Sequence, residues 1–311
     1  MAPFAKRLRI LMVVGCAGLQ ALGAAENFSA AVIHPGDKGL VLTLYPMTGT
    51  ALDAPLPPGL PRDVTVNAFS AKGNAIYLQK ADYQSSEGIF KVEFQPLRKS
   101  IVDGTAGFRS IWNMAVLLSG RVVVSGISKI RGECGTFEID PIAGKVRTLL
   151  AGPFPDCGGG GGAISPDGRR VVSYSGKELS IVSLEDGAVT RINGIPGQLS
   201  HTDVTWPHKA SWSPDGRWIS VFLKNGDILL LDTSDTSKRT NLGPSGGPPA
   251  VWSPDSKHLL VSKSEFRCSM YLYFQSLESI DVTTHHRQVI QSSHCRIGLG
   301  WFGWVDLEAV Q

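Results

Sequence analysis

The stretch Ala210–Phe222 reads A-S-W-S-P-D-G-R-W-I-S-V-F, and nearly the same phrase recurs as G-A-I-S-P-D-G-R-R-V-V-S-Y from Gly162 and A-V-W-S-P-D-S-K-H-L-L-V-S from Ala250. Each copy is a short apolar run, a four-residue turn signal, and a run in which apolar and polar residues alternate. Proline presets φ at the second turn position, Asp suits the third, and Gly the fourth. Each copy therefore predicts a hairpin of strand, turn and strand.

The turn glycines set a period. Gly168 and Gly216 are 48 residues apart, and Ser256 takes the same place 40 residues later. Going backwards, Gly120 in L-S-G-R precedes Gly168 by 48 residues, and Gly73 in A-K-G-N precedes Gly120 by 47. Alternating runs fill the chain, and helical spacing of apolar residues is hard to find. A period of this size suits one four-stranded blade of a β-propeller. Third and fourth strands are readable as T-F-E-I-D-P-I-A-G-K-V-R-T-L-L, as L-S-I-V-S-L-E-D-G-A-V-T-R-I, and as I-L-L-L-D-T-S-D-T-S-K-R-T-N-L.

Segments at both ends are left over. Leu40–Leu56 reads as a third and fourth strand, and I-G-L-G-W-F-G-W-V-D-L-E-A-V as a first and second. Joined, they would form one composite blade and close the ring, which removes exposed sheet edges. The expected fold is all-β: a six-bladed propeller of four-stranded antiparallel blades, with the last blade closed by N- and C-terminal strands. Seven blades is the alternative, if Phe28–His34 opens a further partial blade.

The S-P-D-G-[RK] hairpin followed by W/V-I/V-S-V resembles the propeller repeat of the TolB-like family, whose TolB is the periplasmic protein of the Tol–Pal system. Similar repeats occur in the propellers of prolyl-oligopeptidase-type enzymes. The resemblance covers most of residues 28–308 and implies a propeller fold, with no particular function attached. TolB has an additional N-terminal α/β domain, and none is expected here because residues 26–311 are assigned to the propeller alone.

Residues 1–25 read as an export signal: Lys6, Arg7 and Arg9, then a mostly apolar run from Ile10 to Leu22, then small Gly23-Ala24-Ala25. Cleavage after Ala25 is expected, with acylation at Cys16 in V-V-G-C as the competing outcome; either one exports the chain. No later segment is long and apolar enough to span a membrane. Removing the three basic signal residues from 30 leaves 27, equal to the 27 acidic ones, so the mature chain carries no formal net charge. That balance argues against a nucleic-acid partner.

Cys134, Cys157, Cys268 and Cys295 stay in the mature chain, an even number that in an exported protein points to disulfides. In a propeller, loops joining strands two and three share a rim with loops joining successive blades. Cys134 and Cys157 occupy these two kinds of loop in one blade, as Cys268 and Cys295 do in a later one. The expected pairs are Cys134–Cys157 and Cys268–Cys295.

Motifs for chemistry are sparse. Gly243–Gly247 formally matches G-x-S-x-G, but Pro248 and Pro249 follow where a nucleophile elbow needs a helix. The glycine run Gly158–Gly162 lacks the G-K-[ST] ending of a phosphate loop. Asp167 and Gly168, Asp215 and Gly216, and Asp255 are read as structural turn residues. Trp212, Trp252 and Trp301 recur in first strands and are expected to pack between blades. His285 and His286, adjacent in an outer strand, would point to opposite faces and could not chelate together. Asn27-Phe28-Ser29 is a formal glycosylation sequon.

The expected function is that of an exported, non-enzymatic binding or scaffold protein for a protein partner or a cell-envelope component. No cofactor and no metal are expected. Its recognition rim would carry Tyr83, Arg131, His201, Asp203, Trp206, His208, Phe266 and Arg267, all on predicted loops. The alternative is a metal-dependent carbohydrate-active enzyme of the propeller-lyase type. His201, Asp203 and His208 in H-T-D-V-T-W-P-H would then hold the ion.

Overall fold

The computed structural model describes residues 28–36, 39–47, 50–61, 64–70, 73–80, 88–117, 119–129, 132–151, 163–175, 178–195, 210–245, 247–263, 276–292 and 301–306. These form six four-stranded antiparallel sheets. Blade 1 follows three N-terminal strands, β1 (Phe28–Gly36), β2 (Gly39–Pro46) and β3 (Leu52–Pro55), and contains β4 (Val64–Phe69), β5 (Ala75–Lys80), β6 (Ile89–Phe94) and β7 (Leu97–Ile101). Blade 2 contains β8 (Phe108–Val116), β9 (Val122–Ser128), β10 (Cys134–Ile139) and β11 (Val146–Ala151). Blade 3 contains β12 (Ala163–Ile164), β13 (Arg170–Ser175), β14 (Glu178–Ser183) and β15 (Val189–Ile192). Blade 4 contains β16 (Ala210–Trp212), β17 (Trp218–Phe222), β18 (Asp227–Asp232) and β19 (Arg239–Pro244). Blade 5 contains β20 (Gly247–Trp252), β21 (His258–Lys263), β22 (Ser276–Asp281) and β23 (Arg287–Ser292). The last strand is β24 (Trp301–Asp306).

The closing blade has the order β24-β1-β2-β3. Seen as a ring, the first strands contact one another in the cycle β4, β8, β12, β16, β20, β24 and back to β4. The molecule is a six-bladed propeller. The runner-up count of seven fails because Phe28–His34 is the second strand of the closing blade and opens no blade of its own.

Closure differs from the expected two-plus-two pairing. One C-terminal strand joins three N-terminal ones, with Phe28 opposite Asp306 and Ile33 opposite Trp301. The seam therefore falls between strands one and two. Every other blade has its turn phrase there, and this blade has no turn because its two strands are the ends of the chain.

Burial follows the pleat. Inner and middle strands are apolar on both faces, as in β18, where Ile228, Leu229, Leu230 and Leu231 are all buried. The two faces feed different cores: Leu229 and Leu231 pack towards blade 3, while Ile228 and Leu230 pack towards blade 5. Outer strands are exposed, as in β7. Among the described residues no helix is long and apolar enough to cross a membrane.

Candidate binding faces of the ring

In blades 1 to 5 the chain reverses between strands one and two and between strands three and four on the same face, here called the turn face. Connections between strands two and three, and from one blade to the next, open on the opposite face, the loop face.

On the turn face, the Ser-Pro-Asp-Gly phrase forms one recurring hydrogen-bond unit. Ser213 is fully buried; its Oγ donates to Asp215 Oδ1 at 2.5 Å and accepts from the Trp218 N–H at 2.8 Å. Asp215 Oδ1 also accepts from the Arg217 N–H at 3.0 Å. Ser165 with Asp167, and Ser253 with Asp255, repeat the arrangement. Gly73, Gly120, Gly168 and Gly216 all have left-handed φ, and Ser256 holds φ 63° at the same place. Blade 1 uses Ser70 and Asn74 in a related way. In each of these carboxylates Oδ1 accepts two local hydrogen bonds. For Asp167, burial pushes the carboxyl pKa up, but the Ser165 hydroxyl and the Arg169 N–H outweigh it and hold it below the usual range.

Between blades, indole N–H groups reach across. Trp212 Nε1 donates to the Ala163 carbonyl at 2.9 Å, Trp252 to Ser211 at 3.3 Å, and Trp304 to Val251 at 3.0 Å. The third member of this ladder is Trp304, where Trp301 was expected. In W-F-G-W both tryptophans are available, and the pairing of Trp304 with Ala30 across the seam decides between them.

Farther out, cations on the fourth strands of blades 1, 4 and 5 tie each of these to the preceding blade. Lys99 Nζ donates to the Gly59 carbonyl at 2.9 Å, the Arg239 guanidinium to the Asn193 and Gly194 carbonyls, and Arg287 Nη2 to the Leu242 carbonyl at 2.8 Å. Gly59, Gly194 and Gly243, at or next to these carbonyls, are all left-handed. The sequence carries this signal as a glycine ending each of these fourth strands, in P-P-G-L, I-N-G-I and N-L-G-P. The turn phrase overshadows it. Glu138 is similarly committed: burial raises its pKa, but Arg121 at 2.5 Å and Arg147 outweigh it and hold the carboxyl low.

Three polar groupings deserve a chemical test. His34 Nε2 lies 2.8 Å from Thr43 Oγ1, which donates to Asp53 Oδ1 at 2.5 Å. The threonine has one proton and gives it to Asp53, so the imidazole must donate to the threonine oxygen. A nucleophile would need the reverse polarity. Ser245, the centre of G-P-S-G-G, donates to the Ser262 carbonyl at 3.0 Å, and the following residues begin strand β20 with no helix. His285 and His286 lie in the turn before β23, with His285 at φ 60°, so they are turn residues where an outer strand was expected. Among the described residues no group of three His, Cys, Asp or Glu side chains could hold a metal ion.

Tyr83, Arg131, His201, Asp203, Trp206, His208, Phe266 and Arg267 lie outside the described residues, as do Cys157, Cys268 and Cys295. The strand ends that bracket them are described: Lys80 and Ile89, Ser128 and Cys134, Ala151 and Ala163, Ile192 and Ala210, Lys263 and Ser276, Ser292 and Trp301. By strand direction all of these ends lie on the loop face. Cys134 is disulfide-bonded, and its partner falls outside the described residues.

TolB from Acinetobacter baumannii matches with a TM-score of 0.60 at 13% identity, over 89% of this chain and 66% of that chain. The fold is that of a TolB-like propeller. A putative TolB from Agrobacterium tumefaciens matches with a TM-score of 0.54 at 14% identity, over 88% of this chain and 91% of that one. A chain of a nidogen/laminin complex matches with a TM-score of 0.56 at 9% identity, over 89% and 97%. This chain thus spans 66% of the Acinetobacter TolB chain. No family model and no curated protein matches the sequence. At these identities the likeness concerns the fold.

Proposed function

We propose that this TolB-like propeller is an exported scaffold, without enzymatic activity, that binds a protein partner or a cell-envelope component through its loop face. One observation carries the reading. The Ser and Asp side chains of the turn phrases and the indoles that cross between blades are engaged in internal hydrogen bonds, whereas the long connections all spring from strand ends on one face. Loops on a rigid frame are where recognition groups concentrate. The resemblance of the repeat to the TolB-like family implies a periplasmic setting, and a propeller of similar fold was solved in a nidogen/laminin complex. Both fit a role in binding proteins.

On this reading residues 1–25 direct export, Cys134–Cys157 and Cys268–Cys295 each staple the loops of one blade, and the loops of that same face carry Tyr83, Arg131, His201, Asp203, Trp206, His208, Phe266 and Arg267. The test is capture of a partner from envelope extract by the purified mature chain. Trp206→Ala, Phe266→Ala and Arg267→Ala should abolish capture, and turn-face changes Arg169→Ala and Lys257→Ala should leave it intact. The opposite pattern would overturn the proposal. Stoichiometric metal that disappears with His201→Ala and His208→Ala would instead favour the carbohydrate-active enzyme.

A further inference from the structure

The interface between blade 5 and the closing blade differs from its neighbours in three independent ways. The first is packing. Register aligns β21 with β17: Leu259 faces Trp252 as Ile219 faces Trp212, and Leu260 pairs with Ser279 as Ser220 pairs with Leu230. Ser262 and Ser279 of blade 5 thus occupy the positions of Phe222 and Leu230 in blade 4. In blade 4 these large side chains are buried and fill the interface with blade 5. In blade 5 the serines share a sheet face with Leu260 and Leu277, which pack against Ala30, Phe302 and Trp304 of the closing blade.

The second is hydrogen bonding. Ser262 and Ser279 are both buried, at 1% and 2% exposure, and their Oγ atoms have no hydrogen-bond partner. A hydroxyl taken from water and left unpaired weakens the contact that buries it. The matching Ser125 of blade 2 is bonded to Thr136 at 3.1 Å. The third is the outer edge. The positions of Lys99, Arg239 and Arg287, set by their pairing with Val92, Leu231 and Ile280, correspond in the closing blade to Ala51, which carries no cation. The described contacts there are neutral: Gln288 Nε2 to the Met47 carbonyl at 3.5 Å, long for a hydrogen bond between neutral groups, and a side-chain hydrogen bond between Tyr45 and Gln291.

We infer that the ring has a built-in opening line between blade 5 and the closing blade, along which β21 and β22 part from β24, β1 and β2 before the rest unfolds. Opening there hydrates the two serine hydroxyls and breaks the Trp304 bond to Val251, and leaves in place the cation ties that blades 1, 4 and 5 make to the blades before them. The inference is independent of the proposed partner.

Hydrogen exchange on the mature protein tests it. Amides of β1, β22 and β24 should exchange roughly tenfold or more faster than those of β17 and β18, an opening gap of about 1.4 kcal/mol. Ser262→Val with Ser279→Val should slow exchange at β1, β22 and β24 by about tenfold and leave β17 and β18 unchanged. If that double variant does not fold, Ser279→Ala should give the same local slowing, about threefold. Equal exchange at the two interfaces in the unaltered protein would overturn the inference, as would slowing spread evenly over all blades.

Discussion

Replacing Ser213 with Ala tests the turn phrase at its most connected atom. Its Oγ donates to Asp215 at 2.5 Å, accepts from the Trp218 N–H at 2.8 Å, and is fully buried. Removing it deletes one charge-assisted bond and leaves a backbone donor without its partner. Together these cost about 2–4 kcal/mol, the sum of a bond to a carboxylate and an unsatisfied donor. For a chain of this size, that lowers the thermal midpoint by about 5–10 °C. Ser119 in the divergent blade 2 turn is the control. It is exposed and accepts the Arg121 N–H at only 3.4 Å, so Ser119→Ala should stay within about 0.5 kcal/mol. Urea unfolding followed by tryptophan fluorescence, with an unchanged m-value, gives both numbers. If Ser213→Ala cost no more than Ser119→Ala, the repeated phrase would not be the structural unit described above.

Acid should destabilise the fold. The carboxyl groups of Asp140, Asp167, Asp232, Asp281 and Glu138 are all held below their ordinary values, so their contribution is full above about pH 5 and is lost as pH falls below about 4. At the alkaline end, burial and then Glu93 push the Tyr77 hydroxyl up to about 12, so its contribution is present below about pH 10 and lost as pH rises towards 12. Circular dichroism melts across both ranges check these signs. His285→Gly should gain up to about 1 kcal/mol, because an exposed non-glycine residue there is left-handed. Ser256→Gly should gain less, since its hydroxyl accepts the Asp215 N–H at 3.0 Å across the blade interface. Trp304→Phe should cost about 1 kcal/mol by removing the indole hydrogen bond to the Val251 carbonyl, with the loss read in the same urea titration.

The wheel of hairpins was legible because each covalent turn between strands one and two writes the same chemistry into the chain. Gly120, inside the weak phrase L-S-G-R, keeps the same left-handed backbone as Gly168 and Gly216. The pairing at the seam is not legible in the sequence, for the converse reason. Strand β1 meets β24 without a connecting turn, so no phrase announces either strand, and Trp301 and Trp304 cannot be separated until the two pair. The cation ties escaped notice because they rest on register between different blades: Arg239 meets Asn193 and Gly194 45 or more positions away. Recognition residues such as Trp206 and Phe266 obey no period, so the sequence offers their chemical type without their arrangement.

Closure by a single C-terminal strand is tested most directly by one engineered cross-link. Phe28 and Asp306 are directly paired across the seam, and paired Cα atoms about 4.5–5.5 Å apart suit a disulfide. Peptide mapping of oxidised Phe28→Cys/Asp306→Cys should find these two cysteines joined to each other in nearly every molecule. Free thiols at both positions in a folded protein would mean that the ring closes in some other way.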